Sequence, residues 1–148
     1  MASAQLEIAI KAALKAGQLI NRESGNLDSL DVREKSPFDF VSNVAVACQE
    51  LIVDMIRHYF PADGIVGEEQ DQHINPDADN QWFIDPIDGT TNFIHGFPQY
   101  AVSIAMAQKG RIVVACVYDP TKNELFTAER GKGAFLNNRR IRVSGLRS

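Results

Sequence analysis

The chain has 148 residues, 45% of them hydrophobic and 23% charged, the balance of one soluble globular domain. Lys and Arg number 15 against 19 Asp and Glu, a net charge of −4. This excludes a disordered tail, a collagen-like repeat and a disulfide-stapled mini-protein, and it is a poor charge balance for gripping nucleic acid. If the chain handles a phosphate, something else must supply positive charge. Cys48 and Cys116 form no CxxC or Cys/His cluster and sit in apolar runs, as reduced core residues of a cytoplasmic protein do. Glu7, Lys11 and Lys15 break the apolar N-terminus, so it matches neither a secretory segment nor a membrane span.

The elements follow in chain order. Leu6, Ala9, Ile10, Ala13, Leu14, Gly17 and Ile20 recur at three- and four-residue steps and predict a helix, with a stop across Asn21 to Asn26. Val44, Ala47, Cys48, Leu51, Ile52, Met55, Ile56 and Tyr59 predict a second helix, capped by Ser42 or Asn43 and ended by Pro61. Between them Lys35-Ser36-Pro37-Phe38-Asp39-Phe40-Val41 reads as non-helical, a strand edge at most. Ile65-Val66 is a short apolar run into Gly67-Glu68-Glu69, followed by a polar loop from Gln70 to Asn80. Gln81 to Ile84 reads as a strand that enters Asp85-Pro86-Ile87-Asp88-Gly89-Thr90-Thr91, with a short helix starting at Thr90. From Tyr100 to Val143 the chain reads as a meander, turning at Lys109-Gly110, Asp119 to Asn123, Gly131 to Gly133 and Asn137-Asn138. The whole, residues 1–148, reads as one α+β domain: two N-terminal helices packed on a largely antiparallel meander sheet. Ile112 to Val117 is apolar at every position, as in a strand buried on both faces. The two helices can cover only one face, so a second copy or a further segment is expected over the other.

Two acidic loops each follow a strand: Glu68-Glu69, and Asp85 with Asp88. Taken singly, either is an ordinary turn or a solvated face. Together, on neighbouring strands, four carboxylates would crowd one sheet edge and resist ionising. A hard divalent cation relieves that, and Mg²⁺ takes a few carboxylates together with water and substrate phosphate. Pro86 stiffens the loop, the Ile87 carbonyl is a further oxygen donor, Gly89 permits close backbone approach and Thr90 supplies a hydroxyl. Free amides at a helix start suit a phosphate oxygen. Trp82-Phe83-Ile84 and Phe93-Ile94 would hold the loop in apolar mass. The pattern points to metal-assisted hydrolysis of a phosphate ester. The DxDGT pattern of haloacid-dehalogenase-type phosphatases fits poorly, because Asp85 and Asp88 are three apart rather than two. The three histidines read as loop or helix-end residues, and Arg139, Arg140, Arg142 and Arg147 as a solvated hairpin.

At these residues the chain strongly resembles the inositol monophosphatase family, most closely its bacterial extragenic-suppressor-type members. The signature runs from Trp82 through Asp85-Pro86-Ile87-Asp88-Gly89-Thr90-Thr91-Asn92-Phe93 and on through Phe97-Pro98 and Ala101-Val102-Ser103-Ile104. Gly67-Glu68-Glu69 lies upstream, Lys35-Ser36-Pro37 with Asp39-Phe40-Val41 matches an earlier segment, and Val117 to Pro120, Glu124 to Ala128 and Gly131 to Ala134 match later ones. The resemblance implies that Glu68, Asp85, Asp88 and the Ile87 carbonyl ligate Mg²⁺. It implies that Glu68, Ile87, Asp88, Gly89 and Thr90 hold the substrate and that Glu68 and Thr90 activate the attacking water. It further implies a phosphate monoester substrate such as inositol 1-phosphate, Li⁺ inhibition, a homodimer and a five-layer αβαβα fold. Bacterial suppressor-type relatives are associated with the transcription and RNA-processing machinery, which makes a regulatory binding role the alternative.

Two departures stand out. Family members are nearly twice as long, and their second half carries a further signature around Trp-Asp whose Asp completes the metal site; the sequence to Ser148 holds only the first part of the layered fold. The family also usually places an Asp six residues after the Asp of its D-x-V segment, and from Asp39 that position is Ala45. Alanine cannot orient a water or a hydroxyl, so weakened activation of the nucleophile is expected.

Overall fold

The computed structural model describes residues 2–28, 37–95 and 99–142. Two long helices, α1 (Ala4–Asp28) and α2 (Pro37–Tyr59), lie on one face of an eight-stranded sheet. The strands are β1 (Gly64–Gly67), β2 (Gln72–Ile74), β3 (Asn80–Asp88), β4 (Ala101–Gln108), β5 (Arg111–Asp119), β6 (Glu124–Glu129), β7 (Gly133–Leu136) and β8 (Arg139–Ile141). A short helix, α3 (Thr90–Ile94), follows β3. The sheet order is β2-β1-β3-β4-β5-β6-β7-β8, with β1 and β3 parallel and every other pair antiparallel. The α+β class and the meander follow the sequence pattern.

Helix α1 starts at Ser3, whose hydroxyl accepts from the Leu6 amide at 3.2 Å, and the Ser3 amide donates to Glu129 at 3.1 Å. It does not stop at Asn21 but runs on to Asp28. Asn21 is spent on a tertiary bond instead, its side-chain amide donating to the Pro120 carbonyl at 3.0 Å. The buried side of α1 is built of small residues, with Ala9, Ala12, Ala13 and Ala16 wholly buried, so the helix sits close to its neighbours. The tightest approach is at Gly17, where a Cβ would lie 2.3 Å from the Tyr118 ring. That ring is fixed at its far end by a 2.7 Å bond from the Tyr118 hydroxyl to Asn123.

Helix α2 begins at Pro37, earlier than the Ser42–Asn43 cap expected from sequence. Proline suits a first helical turn, where its missing N–H is no loss and its φ is already helical. Val41 thereby joins the buried helix face rather than a strand edge. Lys35 and Ser36 lie outside the described residues, as do Phe97, Pro98, Val143 and Arg147. Past the end of α2, Phe60 stacks on Trp82 at 5.8 Å, and the Trp82 indole donates to Asp63 at 2.9 Å. The polar loop after Glu69 is partly ordered: a single 3-10 turn (Glu69–Asp71) leads into β2, which backbone bonding to β1 defines and no apolar pattern announced.

The core lies between the helices and one sheet face. Trp82, Met106 and Val114 form one row across β3, β4 and β5, and Ile84, Ile104 and Cys116 form the next. The opposite face is uncovered. There the rows run Phe83, Ala105, Ala115, Ala128, Ala134, Ile141 and Asp85, Ser103, Val117, Phe126, Leu136. The expectation that β5 is buried on both faces does not hold within this chain, because Ile112 is 50% and Val117 38% exposed. Phe83 is 42% exposed for the same reason and does not help to enclose the acidic loop.

Both cysteines are free and buried, and burial pushes each thiol up to about 12, with Glu23 adding to the effect at Cys48. They are protonated core residues. Gly17→Ala is expected to destabilise the chain by about 1–3 kcal/mol through overpacking against Tyr118, although alanine is the better helix former by about 1 kcal/mol. Urea unfolding measures this; a stabilised variant would show that the Tyr118 ring moves aside freely.

Candidate active site

Parallel strands end at the same sheet edge. Because β1 pairs with β3 in parallel, with Gly67 opposite Ile84, the residues that follow each strand are brought together: Glu68-Glu69 after β1, and Asp85 onward in β3. The Glu68 amide donates to the Ile84 carbonyl at 3.0 Å and fastens the two at that point. The neighbouring-strand condition for a four-carboxylate edge is therefore met.

Strand β3 extends through the acidic loop to Asp88, beyond the Ile84 end read from sequence. Its pairing with β4 shifts between Asp85 and Asp88: Asp85 lies opposite Ser103 and Asp88 opposite Ala101. Three steps on β3 match two on β4, which is a one-residue bulge. Residues three apart in a regular strand point to opposite faces, and one extra residue cancels that alternation. The bulge contains Pro86, which has no N–H to lose from the ladder. Pro86 and Ile87 turn into the core, Ile87 at 3% exposure, while Asp88 is exposed and Asp85 half-buried.

Gly89 then reverses the chain with φ +99°, and a Cβ there would lie 2.7 Å from the Gln99 carbonyl. Only glycine meets both demands. Beyond it α3 opens, its Phe93 amide bonding the Gly89 carbonyl at 3.1 Å. Phe93 is buried edge-on to Tyr100 at 4.9 Å, and Asn92 donates to the Gln99 carbonyl at 2.8 Å. The Thr90 hydroxyl donates to the Ile87 carbonyl at 3.2 Å. That carbonyl is thus not wholly free, though a carbonyl oxygen has a second lone pair.

The electrostatics register the crowding. Asp85 is pushed up to about 6, first by burial, then by the charges of Asp88 and Glu68 and, less, of Glu69; the Ile87 amide partly offsets this by bonding the carboxylate. Among the described residues, the three charges that act on it are all carboxylates. Glu69 is raised as well, by burial and then by Glu68. Among the described residues no three His, Cys, Asp or Glu side chains are grouped so that they hold a metal ion together as a protein cage. Mg²⁺ needs no such cage, since it keeps several waters and takes one or two carboxylates with substrate oxygens. The donors among the described residues here are all oxygen, which fits that ion.

One contributor was missed in the sequence. Gln49 of α2, 4% exposed, bonds both the amide and the carbonyl of Glu69, at 2.8 and 3.0 Å. Its only trace is a polar residue spaced four after Ala45 on a buried helix face. Ala45 itself is 2% exposed, and α2 packs on both α3 and the 3-10 turn. Of the histidines, His73 pairs with exposed Asp71 at 3.1 Å, and His58 meets Tyr59 edge-on.

Comparison with known proteins places this architecture in a class. The profile of the inositol monophosphatase family matches residues 2–147, and the chain belongs to that family. Similar curated proteins include "Nus factor SuhB" of Salmonella typhimurium strain LT2 and of Escherichia coli K12. Each is 50% identical over 142 residues, 96% of this chain and 53% of the relative. The extragenic suppressor protein suhB of Bartonella henselae superposes with a TM-score of 0.86 at 43% identity, over 98% of this chain and 56% of that one. An inositol monophosphatase from Anabaena superposes with a TM-score of 0.80 at 36% identity, over 95% and 50%. The chain spans about half the length of the relatives it matches.

Asp85 carries a linked prediction. Its folded value lies above the unfolded value of about 3.9, so its contribution to stability is complete below that pH and is lost as pH rises through about 6. Asp85→Asn is therefore expected to raise the melting temperature of the metal-free chain at pH 7 by about 2–4 °C, with the gain vanishing at pH 4. If Mg²⁺ binds at this edge, it raises the melting temperature of the parent chain, and Asp85→Asn is expected to abolish that rise. Thermal melts at both pH values, with Mg²⁺ and with EDTA, decide both points.

Proposed function

We propose that the chain carries the metal and water-activating half of a Mg²⁺-dependent phosphomonoesterase acting in the cytoplasm on inositol 1-phosphate or a related sugar phosphate. The observation that carries this is the acidic edge: a parallel strand pair and a bulge set Glu68 and Asp88 near enough to Asp85 for their charges to hinder its ionisation. Left alone it costs stability, which a purely structural role does not explain. Glu68, Asp85, Asp88 and the Ile87 carbonyl would hold Mg²⁺. Bound Mg²⁺ would supply positive charge to an anionic substrate and make water more acidic.

The chain's own residues do the rest. Glu68, exposed at the mouth, accepts the proton of the attacking water. The oxygen–phosphorus bond to that water forms as the bond to the sugar oxygen breaks; the leaving oxygen takes a proton from solvent water, and Glu68 returns to solvent the proton it accepted. Asp88 and the Gly89 backbone face the substrate, while Thr90, held by its bond to the Ile87 carbonyl, orients the water. The αβαβα assembly, the homodimer and Li⁺ inhibition belong to this proposal as family expectations.

A second reading rests on the name that the curated relatives carry. "Nus factor" denotes a transcription role, and a chain 50% identical to them could act by binding that machinery. Ala45 favours this alternative, since it removes an expected acid from α2.

Phosphate release from inositol 1-phosphate by this chain is expected to require Mg²⁺, to stop with EDTA, and to fall at least about hundredfold in Asp88→Asn. Absence of release alongside intact Mg²⁺ binding would overturn the enzymatic proposal for this chain and favour the binding role. Ala45→Asp is expected to raise the release rate about tenfold while lowering stability by about 1–3 kcal/mol, because it buries a carboxylate. An unchanged rate would remove Ala45 from the account of nucleophile activation.

A further inference from the structure

Gln49 is one of two buried polar side chains among the described residues, the other being Thr127. A buried primary amide is costly unless its donors and acceptor are paired. All of its pairing goes to one short segment. Its Oε1 accepts from the Glu69 amide at 2.8 Å. Its Nε2 donates to the Glu69 carbonyl at 3.0 Å and to Gln72 Oε1 at 2.8 Å. Both backbone groups of Glu69 are thus occupied by one side chain, as a neighbouring strand would occupy them.

Gly67 makes room for this. A Cβ at that position would lie 2.5 Å from both Cδ and Nε2 of Gln49. On the other side of Glu68 its own amide is fixed to the Ile84 carbonyl. Glu68 therefore sits between two anchors, β3 through its own amide and α2 through the next residue. Directly after it, Gln70 and Asp71 take left-handed φ values of 57° and 47°, which non-glycine residues adopt at a cost. The clamp closes just ahead of this turn and sets where it begins.

We infer that Gln49 is a positioning residue, whose amide, seated against Gly67, fixes the backbone of Glu69 and so aims the Glu68 carboxylate at the Asp85–Asp88 edge. This rests on the proposed role of Glu68 beside Asp85. Gln49 touches no reacting atom. It acts through the chain at Glu69.

The test starts with Gln49→Met, which keeps the length of the side chain and removes all three bonds. In the metal-free chain, amide exchange at Glu69 is expected to accelerate at least about tenfold, while the amide of Ile104 in β4 keeps its protection. Mg²⁺ affinity, titrated well below the melting temperature, is expected to weaken at least about fivefold. Gly67→Ala should produce both changes with the Gln49 amide chemically intact, and it decides the matter if Gln49→Met does not fold. Combined with Gln49→Ala, Gly67→Ala should add little to the effect of Gln49→Ala alone, because the clash and the clamp are one interaction. Unchanged Glu69 exchange would overturn the clamp. Faster exchange with unchanged Mg²⁺ affinity would overturn the positioning role. The metal proposal fails separately, if Asp85→Asn leaves Mg²⁺ affinity untouched.

Discussion

Mutual repulsion among the carboxylates at the end of β3 is the constraint around which this chain is arranged. Asp85 resists ionising because burial, Asp88 and Glu68 all act on it in the same direction. Nothing in the separate loops requires this. It arises because β1 and β3 are parallel and in register, Gly67 beside Ile84, and because β3 takes a bulge before Asp88. A regular strand would have sent Asp85 and Asp88 to opposite faces, and an antiparallel β1 would have carried Glu68 to the far end of the sheet. The fold thus concentrates negative charge at one edge of an acidic chain.

Helix α2 is the frame for that edge. It packs on both α3 and the 3-10 turn, so it touches the two loops that carry the acids. Its buried face presents Ala45, where nothing polar can reach the site, and one turn later Gln49, whose amide is wholly committed to Glu69. Helix α1 lies behind it, brought close by alanines and by Gly17 against Tyr118. Close packing of small residues leaves little room for α1 to shift, so the support beneath β4 and β5 is stiff.

The sheet is covered on one side only. Phe83, Val117, Phe126 and Ile141 all show substantial exposure on the other, at 42, 38, 39 and 42%. Asp85 shares that face, in a row with Ser103, Val117, Phe126 and Leu136. The acidic edge and the bare apolar face are therefore continuous. A contiguous apolar face of this kind is uncommon on a monomer in water, and the chain spans about half the length of its relatives.

The helix periods, the meander with its turn residues and the Asp85 to Thr90 motif were all legible in the sequence, because each depends on local spacing: 3.6 for α1 and α2, short apolar runs for the strands, and turn-forming pairs such as Asn137-Asn138, which do take φ of 48° and 68°. The length of the helices was less legible. Asn21 seemed a stop and Pro37 a breaker, but a distant carbonyl at Pro120 employs the one and the first-turn position suits the other. Strand β2 and the Gln49 clamp left almost no signal, since backbone pairing and a side-chain bond across 20 residues have no period. The sequence by itself determined which groups could do chemistry, since carboxylates, a hydroxyl and two glycines are properties of residues. Only the tertiary structure decided that they come to one sheet edge, because convergence depends on a parallel strand pair, a bulge and a buried amide, each of which joins parts of the chain that sequence keeps apart.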